Sequence, residues 1–147
     1  MSAIGAEVGK VWATAIATRP SDGHRIVYRF IMEFAPEFNR SSFPERVILV
    51  WRYESTVGMP STPDRESMDR LEDLLSPYVE ASGLATLVLV STGENLREWT
   101  YYTRSEAEFL AKLNGALERE QRYPIEVHSG PDPKWSTYEA FRQGVKE

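Results

Sequence analysis

Cysteine is absent from the sequence, which has 147 residues and only two histidines, His24 and His128. The first absence excludes disulfides, thiolate metal sites and a thiol nucleophile. The second excludes a metal centre built on several imidazoles from one chain. No stretch approaches the roughly 18 apolar residues that a membrane-spanning helix needs. The mildly apolar run Val11–Thr18 is short, is interrupted by Thr14 and is followed by Arg19, so it is not expected to act as a secretory signal. A cytoplasmic protein is the expectation. Glycine-rich phosphate loops, G-x-S-x-G and H-E-x-x-H are also missing, and no cofactor or metal is called for. Positive charge is in deficit as well: the net charge is −5 and the pI about 5.2. The arginines are scattered among glutamates, which describes a solvated mixed-charge surface better than a phosphate-binding stripe and makes nucleic acid an unfavoured partner.

What is present fits a single globular domain over residues 1–147. Hydrophobic residues make up 41% and charged residues 27%, which excludes a wholly disordered chain. Residues 8–35 read as a hairpin. The run from Val8 to Thr18 is rich in Val, Ile and Thr, Pro20–Gly23 is a turn, and Ile26, Tyr28, Phe30, Met32 and Phe34 then alternate with Arg25, Arg29 and Glu33. The consecutive Val47–Val50 predicts a strand buried on both faces. Ser61 or Thr62 can cap a helix with Pro63 in its first turn and Met68, Leu71, Leu74 and Leu75 on one face. Pro77 is expected to kink or restart that helix, and Gly83 to end it. Leu84–Ser91 and Leu96–Thr103 read as strands around a Gly93–Asn95 loop. Ser105 with Glu108 has the spacing of a capping box before a second amphipathic helix. Tyr123–His128 reads as a last strand, and 131–147 as a turn and short helix.

From residue 46 to 128 the order is β-α-β-β-α-β. The expected class is therefore α+β, a ferredoxin-like split β-α-β sheet with two main helices on one face and an added N-terminal β-hairpin. The second sheet face must be covered by something else or stay exposed.

Two constellations stand out as candidate sites. Trp51 and Tyr53, with Trp99 and Tyr101, occupy alternate positions of two strands that this topology makes adjacent. Together with Trp135 they are candidate binding residues for a protein partner or for self-association, a homodimer included. Core packing is the competing reading, and RNA stacking is the weakest, because the second strand lacks a glycine-rich basic signature. Glu126, His128 and Asp132 form the candidate catalytic group of an alternative reading, a small hydrolase or other enzyme. A polar strand end and a turn residue explain the same three more simply. Arg52 and Glu98 are placed to pair across the central strands, and Trp135 and Tyr138, three apart, to clamp a last helix to the sheet.

Several segments in order carry a likeness: W-R-Y-E from Trp51, G-M-P from Gly58, R-L-E-D-L-L from Arg70, S-T-G-E-N-L-R-E-W-T-Y-Y from Ser91 and D-P-K-W-S-T-Y from Asp132. The set resembles the bacterial domain-of-unknown-function family 695, from about Trp12 to Phe141. Related domains occur joined to RraB-type regulators of ribonuclease E. The resemblance thus implies a non-enzymatic regulatory or protein-interaction module and supplies no catalytic residues.

Overall fold

In the computed structural model, residues 10–118 and 123–145 are described. Val8 and Gly9, expected in the first strand, lie outside them. The chain is α+β: among the described residues, a six-stranded antiparallel sheet carries three α-helices. The strands are β1 (Val11–Thr18), β2 (Arg25–Glu33), β3 (Glu45–Arg52), β4 (Ala85–Gly93), β5 (Leu96–Thr103) and β6 (Ile125–Pro131). The helices are α1 (Thr62–Val79), α2 (Glu106–Leu117) and α3 (Ser136–Gly144). Strand order across the sheet is β1-β2-β4-β5-β3-β6. None of the described helices is long and apolar enough to cross a membrane.

Local chemistry explains the boundaries. Ser61 Oγ accepts the Asp64 amide at the start of α1, and Ser105 Oγ accepts the Glu108 amide at the start of α2. The reciprocal arm of the expected capping box is replaced: the Ser105 amide bonds Thr103 Oγ1 instead. α1 runs through Pro77 without restarting. A proline so near the end removes only one late amide of the helix, and the turn at Glu80–Gly83 follows directly. The β4–β5 loop has two central residues, Glu94 and Asn95, both with positive φ (55° and 65°). That geometry matches the right-handed twist of a tight hairpin.

The two sheet faces have separate cores. On the first, Met68, Leu71, Leu75 and Val79 of α1 and Phe109, Leu113 and Ala116 of α2 pack on Val47, Leu49, Leu87 and their neighbours. On the second, α3 and the segment Phe34–Phe43 cover Phe30, Val88, Leu89 and Tyr102. The extended apolar run in β4 serves both. A bulge between Leu87 and Leu89 sends Leu87 and Val90 to the first core and Val88 and Leu89 to the second. Such a run needs cover on both sides, and three helices with one loop provide it. The helices leave the first-face side of the β1–β2 hairpin largely uncovered, which creates a step beside α1.

The candidate functional site: a cleft beside helix α1

The five aromatic side chains expected at a contact surface are buried. Trp51, Tyr53, Trp99 and Tyr101 are 1–7% exposed, and Trp135 is fully enclosed. For the first four the reason is parity: odd-numbered residues along β3 and β5 point to the face that α1 and α2 cover. The polar tips of three of them are satisfied internally. Trp99 Nε1 donates to Glu72 Oε1 (3.0 Å), the Tyr53 hydroxyl to the Gly58 carbonyl (2.6 Å) and Trp135 Nε1 to the Phe43 carbonyl (2.9 Å). Trp135 also stacks on Tyr102 at 4.2 Å with an interplanar angle of 7°. Trp135 and the buried Tyr138 thus hold α3 to the second face. Burial of this kind is the core packing that competed with the contact reading of these rings.

The acidic and histidine group does not converge either. Glu126 and His128 lie on the exposed edge strand β6, 3.5 Å apart, and Glu126 accepts a hydrogen bond from Arg52 Nε at 2.8 Å. That hydrogen bond holds the Glu126 carboxyl below its ordinary range. It also corrects the expected Arg52–Glu98 pair, because Arg52 stands opposite Leu96 in register and reaches β6 instead. Asp132 is committed elsewhere. Its carboxylate accepts the Tyr102 hydroxyl (2.7 Å) and the amides of Ser136 (2.8 Å) and Thr137 (3.2 Å). Burial alone would raise its pKa, but these hydrogen bonds outweigh burial and leave it below the ordinary value. Asp132 therefore acts as the anchor of α3. Among the described residues no three His, Asp or Glu side chains are grouped to hold a metal.

The strongest polar constellation lies at the step beside α1. There a cleft of about 370 Å³ is lined by Thr14, Arg29, Arg65, Asp69, Thr92 and Arg97, with Met59 and Pro60 among the apolar lining residues. Arg65, Asp69 and Glu72 are spaced i, i+4 and i+7, so they share one flank of α1. Across from them, the sheet register sets Thr14 opposite Arg29 and Thr92 opposite Arg97. The Arg97 side chain is only 9% exposed. Its Nε donates to Thr92 Oγ1 (2.8 Å) and one terminal nitrogen to Asp69 Oδ1 (3.1 Å). The other terminal nitrogen makes no hydrogen bond among the described residues. Arg29 bonds Glu72 at 2.6 Å and lies over the Trp12 ring at 5.2 Å. Arg65 projects from the exposed side of α1, and its guanidinium has no partner among the described residues.

The loop at the mouth is pinned. Gly58 has φ +83°, and its carbonyl accepts both the Asn95 amide (3.0 Å) and the Tyr53 hydroxyl. Met59 and Pro60 are thereby fixed at the rim. At the neighbouring hairpin tips, Arg19, Asp22, His24 and Glu94 form a polar network. A hydrogen bond from Arg19 helps hold the Asp22 carboxyl at about 2.

Residues 11–142 match the family of unknown function DUF695. The chain belongs to that family. No curated protein matches the chain. In this DUF695 domain the G-M-P and E-N-L-R segments have structural reasons to be where they are. Gly58–Pro60 shapes the cleft mouth, and Arg97 lies on the cleft floor. Sequence reasoning passed over the cleft residues, although the 65–69–72 stripe beside the apolar stripe of α1 was a readable sign.

Proposed function

We propose that this DUF695 domain is a non-enzymatic binding module of regulatory or interaction type, with the cleft beside α1 as its ligand site. The supporting observation is Arg97. A guanidinium held in place by Thr92 and Asp69, its side chain only 9% exposed and its remaining donor open to a concave site, is placed as a recognition group. The pinned loop and the sheet hold the cleft in one shape, so binding would require little reordering. We also infer a ferredoxin-like arrangement for residues 45–131. The antiparallel order β6-β3-β5-β4 within that stretch supports it. The outer edges of β1 and β6 leave room for a protein partner or a second copy, in keeping with a cytoplasmic regulator of the RraB-associated kind.

The enzyme reading has less support. Asp132 is consumed by Tyr102 and α3, and Glu126 and His128 lie on an exposed edge strand. A thermal-shift screen of a mixed metabolite library tests the proposal, with wild type beside Thr14→Trp. Thr14 is exposed on an edge strand, so the indole fills the cleft without disturbing a core. Ligands that stabilise the wild type and not Thr14→Trp support the module. Hydrolytic turnover lost in His128→Ala would favour the enzyme.

A further inference from the structure

We infer that the cleft takes a small molecule through an oxyanion, a phosphate or carboxylate group, held between Arg97 and Arg65. The inference rests on the binding-module reading and names the chemistry of its ligand. The chain is acidic overall, yet this cleft is lined by three guanidinium groups and one carboxylate. The inversion of local charge is what an anion site requires.

The three arginines are not equivalent. Glu72 and the Trp12 ring hold Arg29 in place, so it contributes field and one wall. Arg97 is oriented by Thr92 and Asp69 and presents its remaining donor. Its planar fork suits two oxygens of one anion. Among the described residues Arg65 has no competing partner, and it stands one helical turn before Asp69. It can close over a bound group from above. The hydroxyls of Thr14 and Thr92 add two neutral donors to the lining. The low-polarity floor of Val27 and Val90 strengthens each of these interactions relative to water. Asp69 is 59% exposed on its side chain, so it can turn outward to solvent when an anion takes its place on Arg97. The volume of about 370 Å³ admits a metabolite-sized body beyond the anionic group.

The test is a titration of the whole chain with sodium phosphate and, separately, sodium acetate at constant ionic strength. The reporters are the ¹H–¹⁵N signals of the arginine Nε–H groups. The expected result is a saturable shift of Arg97, with a dissociation constant in the millimolar range for such minimal probes. Arg65→Gln should weaken it about tenfold, as loss of one charge-assisted hydrogen bond predicts, and the backbone spectrum should be unchanged. Arg97→Lys should abolish saturation, and Arg65→Gln remains decisive if that buried variant does not fold. A response to phosphate alone assigns a phosphoryl ligand, and a response to acetate alone a carboxylate. Two outcomes overturn the inference: no saturable shift with either anion, or equal affinity in Arg65→Gln and wild type. If neither anion binds while library ligands still depend on an open Thr14 position, the oxyanion assignment alone falls. If those ligands are also absent, the cleft is not a site.

Discussion

Asp132 offers the sharpest test of how the second face is held. In Asp132→Ala the Tyr102 hydroxyl, fully buried, loses its acceptor. Leaving a buried donor unsatisfied costs about 1–3 kcal/mol. The first amides of α3, at Ser136 and Thr137, lose their carboxylate as well. Removing such a helix-start partner costs about 1 kcal/mol. The expected loss is therefore about 2–4 kcal/mol, a large share of the roughly 5–15 kcal/mol that keeps a domain folded. Asp132→Asn preserves shape and an acceptor oxygen, and should lose about 1 kcal/mol by removing the charge. The pH dependence carries the sign. The Asp132 pKa is lowered in the folded chain from an ordinary 3.8, so the unfolded chain binds the proton more readily. The stabilisation is present above that ordinary value and fades as pH falls through the folded one. The wild-type advantage over Asp132→Asn should be full at neutral pH and shrink in acid. Urea unfolding followed by tryptophan fluorescence reads both effects, since Trp135 stacks on Tyr102. A midpoint for Asp132→Ala unmoved from wild type, or a gap to Asp132→Asn that stays constant into acid, would refute the account.

Three further substitutions probe the sheet. Gly93→Ala places a Cβ 2.5 Å from the Arg25 carbonyl and 2.8 Å from Ile26 Cα, at a φ of +155°. Backbone strain of this kind costs about 1–3 kcal/mol, so chemical denaturation should show at least that loss, whereas a neutral result would mean that β2 can move away freely. Trp99→Ala and Trp51→Ala should each destabilise by about 3–5 kcal/mol as core truncations. Retained stability in either would return these rings to the surface and reopen their reading as contacts.

The legible part of the fold was the part written in local chemistry. Ser61 and Ser105 announce their helices because a hydroxyl meets an orphan amide within the same few residues. The alternation in β2 and the apolar stripe of α1 follow from strand and helix periods alone. Even the β4–β5 hairpin was visible, although its Glu94–Asn95 turn dispenses with glycine at the positive-φ positions. The bulge at Val88 was not visible, because an unbroken apolar run gives no sign of where its faces exchange.

By itself, then, the sequence determined the α+β class, the order of its elements and most of their boundaries, since each depends on neighbours within a turn or a strand. It also determined what the chain lacks, thiols and an imidazole cluster above all. Tertiary structure decided which face of each strand is covered, and with that the fate of every candidate residue. Trp51 and Trp99 became core because two helices close over their side of the sheet. Asp132 left His128 for Tyr102 because α3 begins beside it. Arg29, Arg65 and Arg97 come from β2, α1 and β5, separated by dozens of residues, and only the packing of α1 against the sheet sets them around one cleft. Spacing along a chain measures neighbours within an element, while a site is made by elements that meet.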